Sequence, residues 1–101
     1  MSINKLRKNI DRIDEILLKL FEKRMQNSIE IAEYKIAHHK NIKNLKREKE
    51  ILKKVKNSSN KNFVDENILL FSIIMYISKN LQYKKIKSLS KKKFKKRREK
   101  K

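Results

Sequence analysis

Residues 3–20, INKLRKNIDRIDEILLKL, decide the fold. Apolar side chains fall at Ile3, Leu6, Ile10, Ile13, Leu17 and Leu20, in alternating steps of three and four. That spacing puts them in one stripe along a helix that packs against other helices. The stripe runs on through Ile31 and Tyr34 toward His38, which predicts a helix roughly 50 Å long at about 1.5 Å per residue. A compact chain of this length has a radius of gyration of only about 13 Å. The helix therefore outruns a single globule, and a second copy of the chain is expected to pack along it.

Working outward, HHKNIKN at residues 38–44 breaks the periodicity and offers Asn44 as the N-cap of a second, shorter helix through Glu48, Leu52 and Val55. NSSNKN at residues 57–62 reads as the next loop. A third helix of medium length follows from about Val64 to Tyr83, with Ile68, Phe71, Ile74 and Met75 toward a core. By composition alone the run ILLFSIIMYI at residues 68–77 also fits a buried strand; its flanks and length favour helix. The expected fold class is all-α: long, short and medium helices in an intertwined helical homodimer.

The chain has 101 residues, enough for one domain, and contains no Gly, Pro or Cys. Without Gly or Pro nothing interrupts helix propagation. Without Cys there are no disulfides or thiolate metal sites, and the adjacent His38 and His39 cannot share one helical face. These features argue against metal chemistry, and no cofactor is expected. The N-terminus lacks an apolar signal core, and Ile68 to Ile77 is about half the roughly 20 residues a membrane span requires. The expectation is a soluble, cytoplasmic protein with no membrane association.

The net charge of +19 suggests a nucleic-acid binder until its distribution is read. Residues 84–101 hold 12 Lys or Arg against one acid, Glu99, for a charge of +11, which leaves +8 for residues 1–83. The division is a helical domain at 1–83 and a basic tail at 84–101. KKIKSLSKKKFKKRREKK is too charged to bury a core, so the tail is expected to be disordered or a frayed continuation of the third helix.

Past Leu20 the stripe departs from apolar residues: Arg24 takes the next position, then Asn27 and Ile31. Lys35 lies eleven residues beyond Arg24, so at about 100° per residue the two point within roughly 20° of each other. On the third helix Ser78 and Gln82 form an i, i+4 pair in register with Phe71 and Met75. Arg47 and Glu48 occupy the first turn of the second helix, beside Asn44. Taken singly, such residues have bland readings. A lone Lys or Arg on a helix usually snorkels, Ser78 and Gln82 suit a satisfied polar core, and Arg47 and Glu48 suit a solvated surface. Together they imply more, because excess cations lining one bundle interior need an anionic occupant.

These residues resemble the all-helical, type II chorismate mutases, a family often fused in bacteria to prephenate dehydratase or dehydrogenase. The likeness covers about residues 3–83. It opens on LRKNIDRIDEILLKLFEKR (6–24), continues through EIAEYK (30–35) and KREKEIL (46–52), and ends on Ser78 and Gln82. The resemblance implies a homodimer with shared sites, chorismate as substrate and prephenate as product. It further implies that Arg24 and the partner chain's copy of Arg7 grip the two carboxylates of chorismate. Lys35 and Gln82 would then donate to the ether oxygen, Glu48 would accept from the ring hydroxyl, and Arg47 and Ser78 would complete the carboxylate environment. Asn44 stands where the family often has Asp; it keeps a capping oxygen and loses the charge. Helical rotation agrees with the division of labour, since Arg7 is turned by about 100° from the line of Arg24 and Lys35.

The set contains cations and neutral donors but no activated nucleophile, metal ligand set or proton relay. A pericyclic rearrangement needs none of those. It needs the enolpyruvyl arm folded over the ring and donors waiting where charge builds on the ether oxygen. The competing reading, a small basic helical RNA- or DNA-binding protein, explains the charge but not why Arg24, Lys35, Ser78 and Gln82 face inward. Nucleic-acid contact is expected at most through the tail. A purely structural coiled coil explains the stripe to Leu20 and predicts apolar residues beyond it.

Overall fold

The computed structural model describes the backbone of residues 2–99 and the side chains of residues 2–91. Three helices appear in chain order: α1 (Ile3–Ala37), α2 (Leu45–Ser58) and α3 (Val64–Glu99), with a 3-10 turn at Lys61–Phe63 leading into α3. Among the described residues there is no strand, so the apolar run at 68–77 is helical. The protein is all-α. No helix among the described residues is long and apolar enough to cross a membrane.

Local chemistry sets the helix ends. Ser2 caps α1, its side chain accepting from the Lys5 N–H at 3.2 Å. The C-terminus of α1 closes without glycine, because His39 takes the left-handed conformation (φ 53°) and the Lys40 N–H reaches back to the Lys35 carbonyl at 2.8 Å. His38 stacks on Tyr34 with ring centroids 4.0 Å apart and holds the Tyr34 carbonyl through Nδ1 at 2.8 Å. The chain thus reverses over residues 38–44. Asn44 then caps α2, its Oδ1 accepting from the Arg47 N–H at 3.1 Å, a contact worth about 1 kcal/mol in helices generally.

The third helix differs in length from the expectation. It starts at Val64 but spans 36 residues rather than stopping near Tyr83, one residue longer than the 35-residue α1. The physical reason is compositional: residues 84–99 contain no Gly or Pro, and Lys and Arg propagate a helix well. Of the two readings of the tail, disorder or continued helix, the backbone follows the second as far as Glu99. Side-chain contacts of residues 92–101, and with them any anion contact of the tail, lie outside the described residues.

α3 packs against both α1 and α2 and is the spine of the unit. The buried apolar core is small, comprising Met25, Ala32, Ile42 and Met75. The predicted stripe is largely bare: Ile3, Leu6, Ile10, Ile13, Leu17 and Leu20 are each 43–60% exposed in the single chain. The radius of gyration is 18.7 Å and the long dimension 70 Å, well beyond the about 13 Å radius of a compact domain of this size. On α1 the buried residues are Met25, Ser28 and Ala32, so Arg24, Asn27 and Ile31, which continue the predicted stripe, form the rim of a cavity and not the packed face.

Candidate active site

Where the second half of α1, the start of α2 and the middle of α3 meet, they line an open cavity of about 410 Å³, within the range of small-molecule sites. Arg24 and Lys35 line it from α1, Asn44, Arg47 and Glu48 from the start of α2, and Ser78 and Gln82 from α3. Seven of the eight residues singled out from the sequence therefore meet in one place. Arg7 does not. It lies on the same helix as Arg24, seventeen residues earlier, which is about 26 Å along the helix axis.

The cavity is electropositive. Arg24, Lys35, Arg47 and Lys79 line it against one carboxylate, Glu48. Glu48 is occupied by Lys79, whose Nζ sits 2.7 Å from Oε1. Arg47 reaches Glu50 at 3.7 Å through an exposed pair, which is weak in water. Arg24 has no carboxylate partner among the described residues. Its guanidinium is held below its ordinary pKa, first by burial and then by the charge of Arg47. Both causes penalise the cation, and the charge of an anion in the cavity would offset them.

The neutral donors are pre-positioned across the helix interface. Gln82 is 6% exposed, and its Nε2 donates to the Ser28 carbonyl at 3.0 Å. One amide hydrogen is spent there and the second remains. Ser78 shares a short hydrogen bond with the hydroxyl of Ser28, which is itself 5% exposed. Lys35 Nζ donates to the Ile42 carbonyl at 2.8 Å, tying the reversing loop to α1 and leaving two ammonium protons. Among the described residues no group of His, Asp or Glu is placed to hold a metal ion.

Residues 6–83 match the family model for chorismate mutase type II. The chain belongs to the type II chorismate mutases. The comparisons with curated proteins and with solved structures returned no match. Family membership makes the protein an isomerase that converts chorismate to prephenate.

Sequence reasoning missed Ser28, Ile42, Ile51 and Lys79 in the lining of this mutase. Ser28 had a faint signal, a small polar residue four positions beyond Arg24 on the face toward α3. Lys79 had none, because in a chain with 30 Lys or Arg one more lysine carries no information.

Proposed function

We propose that the cavity between α1, α2 and α3 is the mutase active site and that it is completed by a second copy of the chain. The observation that carries this reading is the convergence of Arg24, Lys35 and Arg47 with Ser78 and Gln82 around one cavity, with Arg24 lacking a carboxylate partner among the described residues. Arg24 grips one carboxylate of chorismate and Arg7, contributed by the other subunit, grips the second. Arg47 and Ser78 complete the carboxylate environment, and Asn44 caps the helix that carries Arg47. Glu48 accepts from the ring hydroxyl. The grip on both ends folds the enolpyruvyl arm over the ring in a near-attack conformer. As the C–O bond lengthens, Lys35 and Gln82 donate to the ether oxygen, each prepositioned donor contributing about 3 to 4 kcal/mol by analogy with oxyanion holes.

The bare apolar stripe of α1 supports the dimer. Six large aliphatic side chains at 43–60% exposure make a contiguous patch that a monomer seldom leaves open. An antiparallel copy of α1 lying on that stripe would carry its own first turns, and with them Arg7, toward the opposite chain's cavity. Two-fold symmetry would then give two shared sites per dimer.

Gln82 provides the test of the ether-oxygen contact. Because an amide does not ionise, turnover of the wild type should not fall near neutral pH through loss of a proton at this position. Gln82→Glu should be active only with the carboxylic acid protonated. Its turnover should fall as pH rises, by about tenfold per unit on the alkaline limb. A pH–rate profile for Gln82→Glu that overlays the wild type removes Gln82 from the mechanism.

Residues 1–83 are the mutase unit in this reading, and the basic segment beyond is an appendage. Among the described residues, contacts that join its start to the body include Lys85 Nζ, 3.3 Å from Glu33, and Ile86, which lines a shallow cleft with Tyr83 and Leu45. Deleting residues 87–101 spares both and should leave kcat/KM within about twofold of the full chain, as is usual for surface changes away from a site. Loss of helicity or of activity in the truncated protein would show that the tail belongs to the catalytic unit.

A further inference from the structure

Lys79 has no part in the roles assigned above, yet it lines the active-site cavity and its Nζ lies 2.7 Å from Glu48. The pair crosses between helices, from the middle of α3 to the first turn of α2. Both side chains are partly shielded, at 33% and 23% exposure against 66% and 53% for the surface pair Arg47–Glu50. Shielding strengthens such a pair because solvent screens it less. A carboxylate also accepts at two oxygens, so Glu48 held by Lys79 through Oε1 keeps an oxygen for a second donor.

The position of the pair matters as much as its strength. The first turn of α2 carries Arg47 and Glu48, with Asn44 as its cap. Among the described residues, the other side-chain hydrogen bond between the α2 end and α3 is Asn67 Nδ2 to Ser59 Oγ at 2.9 Å, at the far end of α2. Lys79 is thus the polar tie from α3 to the end of α2 that faces the substrate. It also sits next to Ser78 and three residues before Gln82, so it shares their helical segment.

We propose that Lys79 is a positioning residue for chorismate: its ion pair aims Glu48 as the acceptor for the ring hydroxyl. The inference rests on the reading of Glu48 as the hydroxyl acceptor. Lys79 acts through Glu48 and not on the breaking bond, so its removal weakens binding without changing the chemical step.

The test is a double-mutant cycle on the full chain, with chorismate and with a chorismate analogue lacking the ring hydroxyl. Lys79→Met keeps the length of the side chain and removes its charge; it should raise KM by about tenfold with kcat changed less than about threefold. Lys79→Arg should recover most of the loss, because it restores the cation. Glu48→Ala should show a similar rise in KM, and adding Lys79→Met to it should cost nothing further, the signature of two residues acting as a unit. With the analogue, Lys79→Met should match the wild type. Where Lys79→Met is poorly folded by circular dichroism, Lys79→Gln supplies the same readings. A penalty confined to kcat, one that persists in the Glu48→Ala background, or one that is equal with the analogue would overturn the proposal. Normal kinetics in Glu48→Ala would instead locate the fault in the role of Glu48 itself, and the proposal for Lys79 would fall with it.

Discussion

Lys35→Ala is expected to lower kcat by about a hundredfold or more, because in the proposed mechanism the lost ammonium acts mainly on the transition state. The protein should stay folded. Lys35 lies in the last turn of α1, where Ala is the better helix former, and only part of its side chain is buried. The substitution also removes the hydrogen bond to the Ile42 carbonyl, which loosens the loop leading to Asn44 and the first turn of α2. That loosening falls on substrate binding and hence on KM, whereas the missing donor falls on kcat. Single-turnover kinetics at saturating chorismate, with helicity followed by circular dichroism, separate the two. A helical Lys35→Ala protein with near-normal kcat would refute the assignment of this lysine to the ether oxygen.

The proposed sharing of each site between two chains gives the second large effect. Arg7 and Lys35 are 28 residues apart on one unbroken helix, about 42 Å along its axis, so one chain cannot bring both to one substrate. Arg7→Ala and Lys35→Ala should each be nearly inactive. Unfolding and refolding the two together in equal amounts should make about half the dimers mixed, each with one site intact and one site lacking both residues. Activity should return to about a quarter of wild type if the two sites act independently. Absence of recovery, with subunit exchange verified by mass spectrometry, would show that Arg7 has no catalytic part.

Within each helix, sequence spacing carried most of the information about the fold. The three-and-four stripe from Ile3 to Leu20 and the absence of Gly and Pro predicted the long α1 that is observed. The polar run at 38–44 predicted the break after α1 and the Asn44 cap of α2. The angular agreement of Arg24 with Lys35, and the i, i+4 pairing of Ser78 with Gln82, predicted which side chains share a face, because a helix fixes rotation at 100° per residue and so makes the faces of its side chains readable from numbers alone. All four residues line the cavity. The length of α3 was legible too, in the lack of any helix breaker after Tyr83, but the charge of the tail masked it.

What the sequence by itself determined is therefore the set of helices, their ends apart from that of α3, and the residues sharing each face, together with the family pattern that names the reaction. Only the tertiary structure decided what one helix does to another. Ser28 supports Ser78 and Gln82 from 50 and 54 residues away. Lys79 finds Glu48 across the α2–α3 interface. The Ile42 carbonyl holds Lys35 from the loop, and the face of α1 that is buried lies to one side of the one its stripe suggested. Helical periodicity is silent on these contacts because the register and rotation between helices are set by how side chains pack at the crossing, which depends on all three helices at once.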